Sequence, residues 1–351
     1  MCETGHQVFA GESAFDEIAD DPRLFHVPDH EVVRVGILGG LRRRGSRLFM
    51  VVLAMHQRGK SVPRITFDPF PDVENRPAGR VHHHAADLPE GAGLSSSAAL
   101  GVAVVVAALR LLGRRLPAAE VARVAYAAEH DVLGVPSGAL DQRAVVGAPG
   151  DGALLLDFRD GGSVRLPWAE GTCLVAVDTV TAHDVGGEGY RTRRMEADAA
   201  LRLLEAVSWR DLSPEQVEAA GLPEPFDRRA RHITSETLRA GEAAVALRFG
   251  DAEALGRLMS ASHASLRDDY EVSTPELDAC CAAAEAVKGC LGARLVGAGF
   301  GGTAIALARS DSAETVRVGM LEALGRAQSD TRSWLLEPSP GAAELAADVV
   351  I

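Results

Sequence analysis

The sequence predicts an α+β chain of two domains, and three observations predict it. At 351 residues the chain exceeds what one hydrophobic core usually serves. A glycine- and serine-rich turn, Pro89 to Leu100, runs into an apolar stretch read as a helix over Ala98–Leu112. Near residue 170 the character shifts from short strands and turns to long amphipathic helices. A second glycine-rich turn and an apolar strand follow them. The boundary is set there, giving a first domain 1–170 with the loop 89–100 and a second domain 171–351 with the turn 292–303.

In chain order, an acidic lead-in over residues 1–20 precedes a mixed polar and β-branched stretch, Asp21 to Val33, where Arg23, Asp29, His30 and Glu31 crowd together. Leu48–Met55 reads as a buried strand and Ser61–Phe67 as another. Arg42, Arg43, Arg44 and Arg47 form a basic turn, either a phosphate clamp or an exposed hairpin. His82, His83 and His84 are consecutive, so on a strand they face alternate sides and cannot all meet one ion. In Pro89–Leu100 the glycines Gly91 and Gly93 permit a sharp bend, and Ser95, Ser96 and Ser97 stand where a helix begins. A helix start offers unpaired N–H groups and a positive dipole end, so the loop reads as a phosphate cradle or as a tightly capped helix. No lysine follows the glycines, which excludes a Walker A loop.

Pro117 opens a second helix, read to Val132 and carrying Glu129 near its end. Three turn-formers then precede Asp141 and Gln142, placing them on a turn that can aim a carboxylate into a cleft. Ala153–Asp157 and Thr172–Asp178 read as strands. Glu188–Val207, Asp227–Phe249, Ala252–Arg267 and Thr274–Val287 read as helices. The glycine-rich turn Arg294–Thr303 feeds the strand Ala304–Ala308. The helix Ser312–Gln328 and the strand Trp334–Leu336 follow, for a sheet of about four strands with helices on one side.

A net charge of −13 argues against a general nucleic-acid or membrane-binding surface, and no apolar run is long enough to span a bilayer. Five cysteines without C-x-x-C spacing, and no basic-then-apolar leader, suit a reducing cytoplasmic setting.

Several stretches together resemble one family, the GHMP kinases, and within it the galactokinases. The motif P-x-x-x-G-L-S-S-S-A is matched by Pro89, Gly93, Leu94, Ser95, Ser96, Ser97 and Ala98. The pattern A-E-H-x-x-x-G-x-x-x-G-x-x-D-Q is matched by Ala128, Glu129, His130, Gly134, Gly138, Asp141 and Gln142. Tyr190, Arg193 and Arg194 fit Y-x-x-R-R. Gly292, Arg294, Gly297, Gly299, Phe300, Gly301 and Gly302 fit G-x-R-x-x-G-x-G-F-G-G.

The resemblance implies a two-domain GHMP kinase fold, with a ribosomal-protein-S5-like first domain and a ferredoxin-like second domain bearing extra helices. It implies ATP-dependent phosphorylation of a sugar, most simply at the anomeric hydroxyl, by a monomer or weak homodimer. Gly91, Gly93, Leu94, Ser95, Ser96, Ser97 and Ala98 would hold ATP; Ser96, Ser97 and Glu129 would hold Mg²⁺. Asp141 would be the base with Arg23 beside it, and Asp29, His30, Gly138, Asp141, Tyr190 and Gly299 would contact the sugar. Where galactokinases carry G-R-x-N-x-I-G-E-H-T-D-Y, this chain keeps Arg23 and His30 but has Asp29 for Glu, Val32 for Asp and Val33 for Tyr. Losing an acceptor for a buried hydroxyl costs about 1–3 kcal/mol. The acceptor expected from these residues is therefore a larger or already phosphorylated sugar of the heptose or octose type. A true galactokinase or related free-hexose kinase is the alternative. A non-catalytic sugar sensor is the third reading, and the intact serines, Glu129 and Asp141 argue against it.

Overall fold

The computed structural model of the chain describes residues 89, 91–132, 138–179, 188–326 and 332–351, together with the backbone of five short strands between Val33 and Ala85. Helix α1 (Ser96–Leu111) buries Ala98, Ala99, Val102, Ala103, Val106 and Leu109 on one face. Its small residues allow close approach by α2 (Ala118–Ala127), which opens after Pro117 and buries Val121, Ala122 and Ala125. A π-helical turn (Ala128–Val132) extends α2, and α3 (Leu140–Gly147) packs across both helices. Asp141 and Gln142 thus lie inside a helix rather than on the expected turn, because the turn-formers end at Gly138 and the helix begins at once.

The strands form three sheets among the described residues, each wholly antiparallel. One joins β1 (Val33–Gly36), β4 (Arg64–Asp68) and β5 (His83–Ala85). A second joins β2 (Val51–Val52), β6 (Gly152–Leu156) and β7 (Ser163–Pro167). The largest has the order β3-β11-β8-β10-β9, with β3 at Met55–Gln57, β8 at Thr172–Asp178, β9 at Cys290–Val296, β10 at Thr303–Arg309 and β11 at Ser333–Pro338. Its last four strands run fourth-first-third-second across the sheet, the ferredoxin-like order. The stretch expected to be one strand over Leu48–Met55 serves two sheets: β2 pairs with β6, and β3 pairs with β11. Strand β9 runs to Val296, so the glycine-rich turn starts three residues later than expected at Arg294.

Both faces of the large sheet are covered. Alternation along β8 sends Cys173, Val175 and Val177 to one side and Leu174 and Ala176 to the other. The first side meets α4 (Glu188–Leu203), α6 (Phe226–Phe249), α8 (Pro275–Glu285) and α9 (Ala313–Ala323). The second side meets Ala92, Leu94, Ala153 and Leu166 from the first half, and Leu247 and Leu255 from the end of α6 and the start of α7 (Ala252–Asp268). Helices on one side only was the expectation; the other side is where the loop of residues 91–95 rests. The C-terminal segment closes the core of α1 and α2 with Ala342, Ala346, Val349 and Val350, and Leu116 exchanges backbone hydrogen bonds with Val349 and Ile351. A short helix, α5 (Pro214–Ala220), carries a Ser213–Gln216 capping box. Burial pushes the Cys280 thiol up to about 12, so it packs as a small inert side chain.

The helical layer holds two buried polar clusters. Arg229, 1 % exposed, donates from Nε to Glu196 Oε2 at 2.7 Å, from Nη2 to Glu271 Oε2 at 2.6 Å and from Nη1 to the Asp269 carbonyl at 2.6 Å. This ties α4, α6 and the turn after α7 together. Nearby, His232 stacks on Tyr270 at 4.4 Å, its Nδ1 3.0 Å from Ser265 Oγ. Burial depresses its pKa from 6.5 to about 4, so the folded state holds the neutral ring. That stabilisation is complete above the unfolded value near 6.5 and is lost as pH falls towards 4. The contribution of His232 to stability against urea should be about 2–3 kcal/mol smaller at pH 4.5 than at pH 7.5. His232→Gln should flatten the loss between pH 6.5 and 4.5; an unchanged profile assigns the acid sensitivity elsewhere.

Candidate active site

The loop before α1 alternates its backbone hand. Gly91 and Gly93 take φ of +71° and +73°, and Ser95, the residue before the helix, takes +58°. A left-handed serine costs on the order of 1 kcal/mol and persists only where its surroundings fix it. Ser95 is fully buried, its Oγ has no hydrogen-bond partner among the described residues, and its carbonyl accepts the Ala99 N–H at 3.1 Å. The loop is pinned from the second half: Thr303 Oγ1 at the start of β10 donates to the Ala92 carbonyl at 2.6 Å. Among the described residues no side chain caps α1, and its first turn carries no carboxylate. Its N–H groups and positive dipole end could receive an anion. Gly91, Gly93, Leu94, Ser95, Ser96, Ser97 and Ala98 all lie at this one corner, with Ser96 and Ser97 in the first turn.

Glu129 comes to the same corner from the π-helical turn after α2 and is 8 % exposed. Ser97 Oγ donates to its Oε1 at 2.6 Å, and Gln142 Nε2 donates to its Oε2 at 2.7 Å. Gln142 is the third residue of α3 and Asp141, 7 % exposed, the second, so this chain of bonds ties the helix that carries Asp141 to the start of α1. The positive end of the α3 dipole lies at the Asp141 carboxylate. Gly138 stands exposed just ahead of that helix. A hydroxyl from α1, a carboxylate from the π-helical turn and an amide from α3 therefore converge, Ser97 and Gln142 lying 32 and 13 residues from Glu129 along the chain.

Tyr190 is buried in the first turn of α4, next to Gly189, and the glycine-rich turn reaches that helix through Phe300. A Cβ on Gly189 would lie 2.8 Å from the Phe300 ring, so that ring rests directly on the α4 backbone. Phe300 takes a left-handed φ of +57° and donates its N–H to the Val272 carbonyl at 2.7 Å. Arg193, one turn along α4, donates to the Tyr270 carbonyl at 2.8 Å. The glycine-rich turn, α4 and the turn after α7 are thus one interlocked unit. His263 sits within the helical layer, 3.3 Å from Asp278 on α8. Arg23, Asp29 and His30 lie outside the described residues. Gln142 and Phe300 stand in the quoted motifs with no role read from them; only their contacts give them one.

Among the described residues no group of three or more His, Cys, Asp or Glu side chains could hold a metal ion alone. Ser97 Oγ and Glu129 Oε1 instead form a pair of hard oxygen donors, and Ser95 Oγ, two residues earlier in the chain, is buried without a hydrogen-bond partner among the described residues. That donor set fits a magnesium ion that draws its other ligands from phosphate oxygens and water.

Comparison with known proteins agrees with this geometry. The family described as GHMP kinases N terminal domain matches residues 73–148, and GHMP kinases C terminal matches residues 243–326. The chain is 43 % identical over 253 residues to a galactokinase of Roseiflexus sp., covering 68 % of this chain and 63 % of that protein. It is 36 % identical over 271 residues to a galactokinase of Streptomyces coelicolor, covering 75 % and 70 %. The chain thus spans just under two thirds of the first of these relatives. Its fold resembles the crystal structure of Lactococcus lactis galactokinase complexed with galactose, with a TM-score of 0.77 and 24 % identity over 94 % of this chain and 98 % of that one.

Proposed function

The chain belongs to the galactokinase-like branch of the GHMP kinase family, and we propose that it transfers the γ-phosphoryl group of ATP to the anomeric hydroxyl of a free hexose of the galactose type. The observation that supports this reading is the bond chain Ser97–Glu129–Gln142, which ties the start of α1 to the helix that carries Asp141. The names of the relatives favour a free hexose over the heptose- or octose-type acceptor expected from Val32 and the Arg42–Arg47 cluster. Those residues lie outside the described structure. The larger phosphorylated sugar stays as the second reading, and the sensor reading has no support from this corner, where the polar side chains are complete.

In this reading the N–H groups of Ser96, Ser97 and Ala98 bind the outer phosphates of ATP. Ser96, Ser97 and Glu129 would hold magnesium, which when bound neutralises charge on the phosphate oxygens. Asp141 takes the proton of the sugar hydroxyl, or orients that hydroxyl where the transition state is loose. The γ-phosphorus–oxygen bond to ADP breaks as the new bond to the sugar oxygen forms, and ADP leaves. Arg23 offsets charge on the phosphoryl group. Asp29, His30, Gly138, Tyr190 and Gly299 would contact the sugar.

A coupled ADP-release assay over free hexoses and phosphorylated six- to eight-carbon sugars tests the reading. Turnover with galactose or a close free hexose is the expected result. Turnover confined to phosphorylated sugars selects the second reading, and no turnover while ATP binds overturns both.

A further inference from the structure

We infer that Gln142 is a positioning residue that sets the cation affinity of this site by holding Glu129; the inference rests on the kinase reading above. Gln142 is 1 % exposed, and Nε2 donates to Glu129 Oε2 at 2.7 Å. A carboxylate offers no donor, so the amide must turn its NH₂ end to Glu129, and its orientation is chemically fixed. The cost of that orientation is visible at the other end: Gln142 Oε1 is buried with no hydrogen-bond partner among the described residues. A buried acceptor left unmet is unfavourable, so an apolar side chain of the same length would pack there at less cost. What the amide alone supplies is the bond to Glu129.

That bond has a directional effect. Ser97 Oγ engages Oε1 and Gln142 engages Oε2, so the carboxylate plane is held from both ends and Oε1 stays beside the serine hydroxyl. Gln142 also follows Asp141 in the first turn of α3. One hydrogen bond therefore registers the base-bearing helix against the ion-binding carboxylate, across the gap between α3 and the π-helical turn. Partners that orient metal-ligating carboxylates typically govern metal affinity by about 10–100-fold.

The probe is Mn²⁺, whose binding to the protein–ADP complex is read by electron paramagnetic resonance, so that no turnover is needed. Gln142→Met keeps length and volume but removes the donor; Gln142→Asn keeps the amide but withdraws it by one methylene. Both should weaken Mn²⁺ binding by about tenfold or more. Both should raise the Mg²⁺ concentration needed for half-maximal activity by a similar factor. Circular dichroism establishes that each variant is folded. Wild-type Mn²⁺ affinity in a folded variant overturns the inference alone. A wild-type protein whose ADP complex takes up no Mn²⁺ overturns the kinase reading and the inference with it.

Discussion

Asp141→Asn should lower kcat for sugar phosphorylation by about 10²–10⁴-fold while the Kd for ATP stays within about twofold. Asp141 is buried at the start of α3, linked through Gln142 and Glu129 to the first turn of α1. Asparagine keeps the volume and the local helix, so Glu129 and Gln142 should keep their places. It removes the negative charge and the basic oxygen, which act only when a hydroxyl beside them loses its proton. The loss should therefore fall on kcat rather than on nucleotide binding. Steady-state kinetics with calorimetric ATP binding check both halves. Turnover at the wild-type rate removes Asp141 from the chemistry, and a parallel loss of ATP binding makes its role structural.

The largest effect on stability is expected at Gly256. Helix α7 passes β9 with backbone against backbone: a Cβ on Gly256 would fall on the Leu291 carbonyl oxygen, and a Cβ on Gly292 would fall on the Gly256 carbonyl oxygen. Neither obstacle is a side chain that can rotate away, so helix and strand must separate. Gly256→Ala should cost about 3 kcal/mol or more, at the upper end of overpacking changes. Gly241 on α6 is the control, because a Cβ there meets nothing within 4 Å. Gly241→Ala should be stabilising by about 0.5–1 kcal/mol through helix propensity and reduced unfolded-state entropy. Urea midpoints that move together would refute the close approach of α7 to β9.

The local elements were legible where one physical signal dominates. Thr172–Val177 is β-branched or apolar at every position, and Thr172–Asp178 folds as the strand that it reads as. Asp227–Phe249 has helical spacing of apolar residues and departs from the helix by one residue at its start. The serines of the loop and the carboxylates Glu129 and Asp141 were legible as motifs, and the fold brings Ser97 and Glu129 into contact. What was not legible is what depends on long-range pairing. Nothing local tells Val51–Val52 and Met55–Gln57 to join different sheets; their partners lie about a hundred residues and nearly three hundred residues away. Asp141 and Gln142 read as a turn because glycines and a proline precede them, yet helix packing against α1 and α2 claims them. Gln142 itself has no signature beyond being an amide next to an aspartate. Its meaning comes from Glu129, thirteen residues away, arriving at hydrogen-bond distance.

The most direct measurement is phosphorus NMR of the full chain with ATP, Mg²⁺ and galactose. Stoichiometric appearance of ADP and a sugar phosphate whose phosphorus couples to the anomeric proton is the expected result, with Asp141→Asn silent over the same time. ATP that binds but stays intact with every free and phosphorylated sugar, or ADP formed with no phosphorylated sugar beside it, would contradict it.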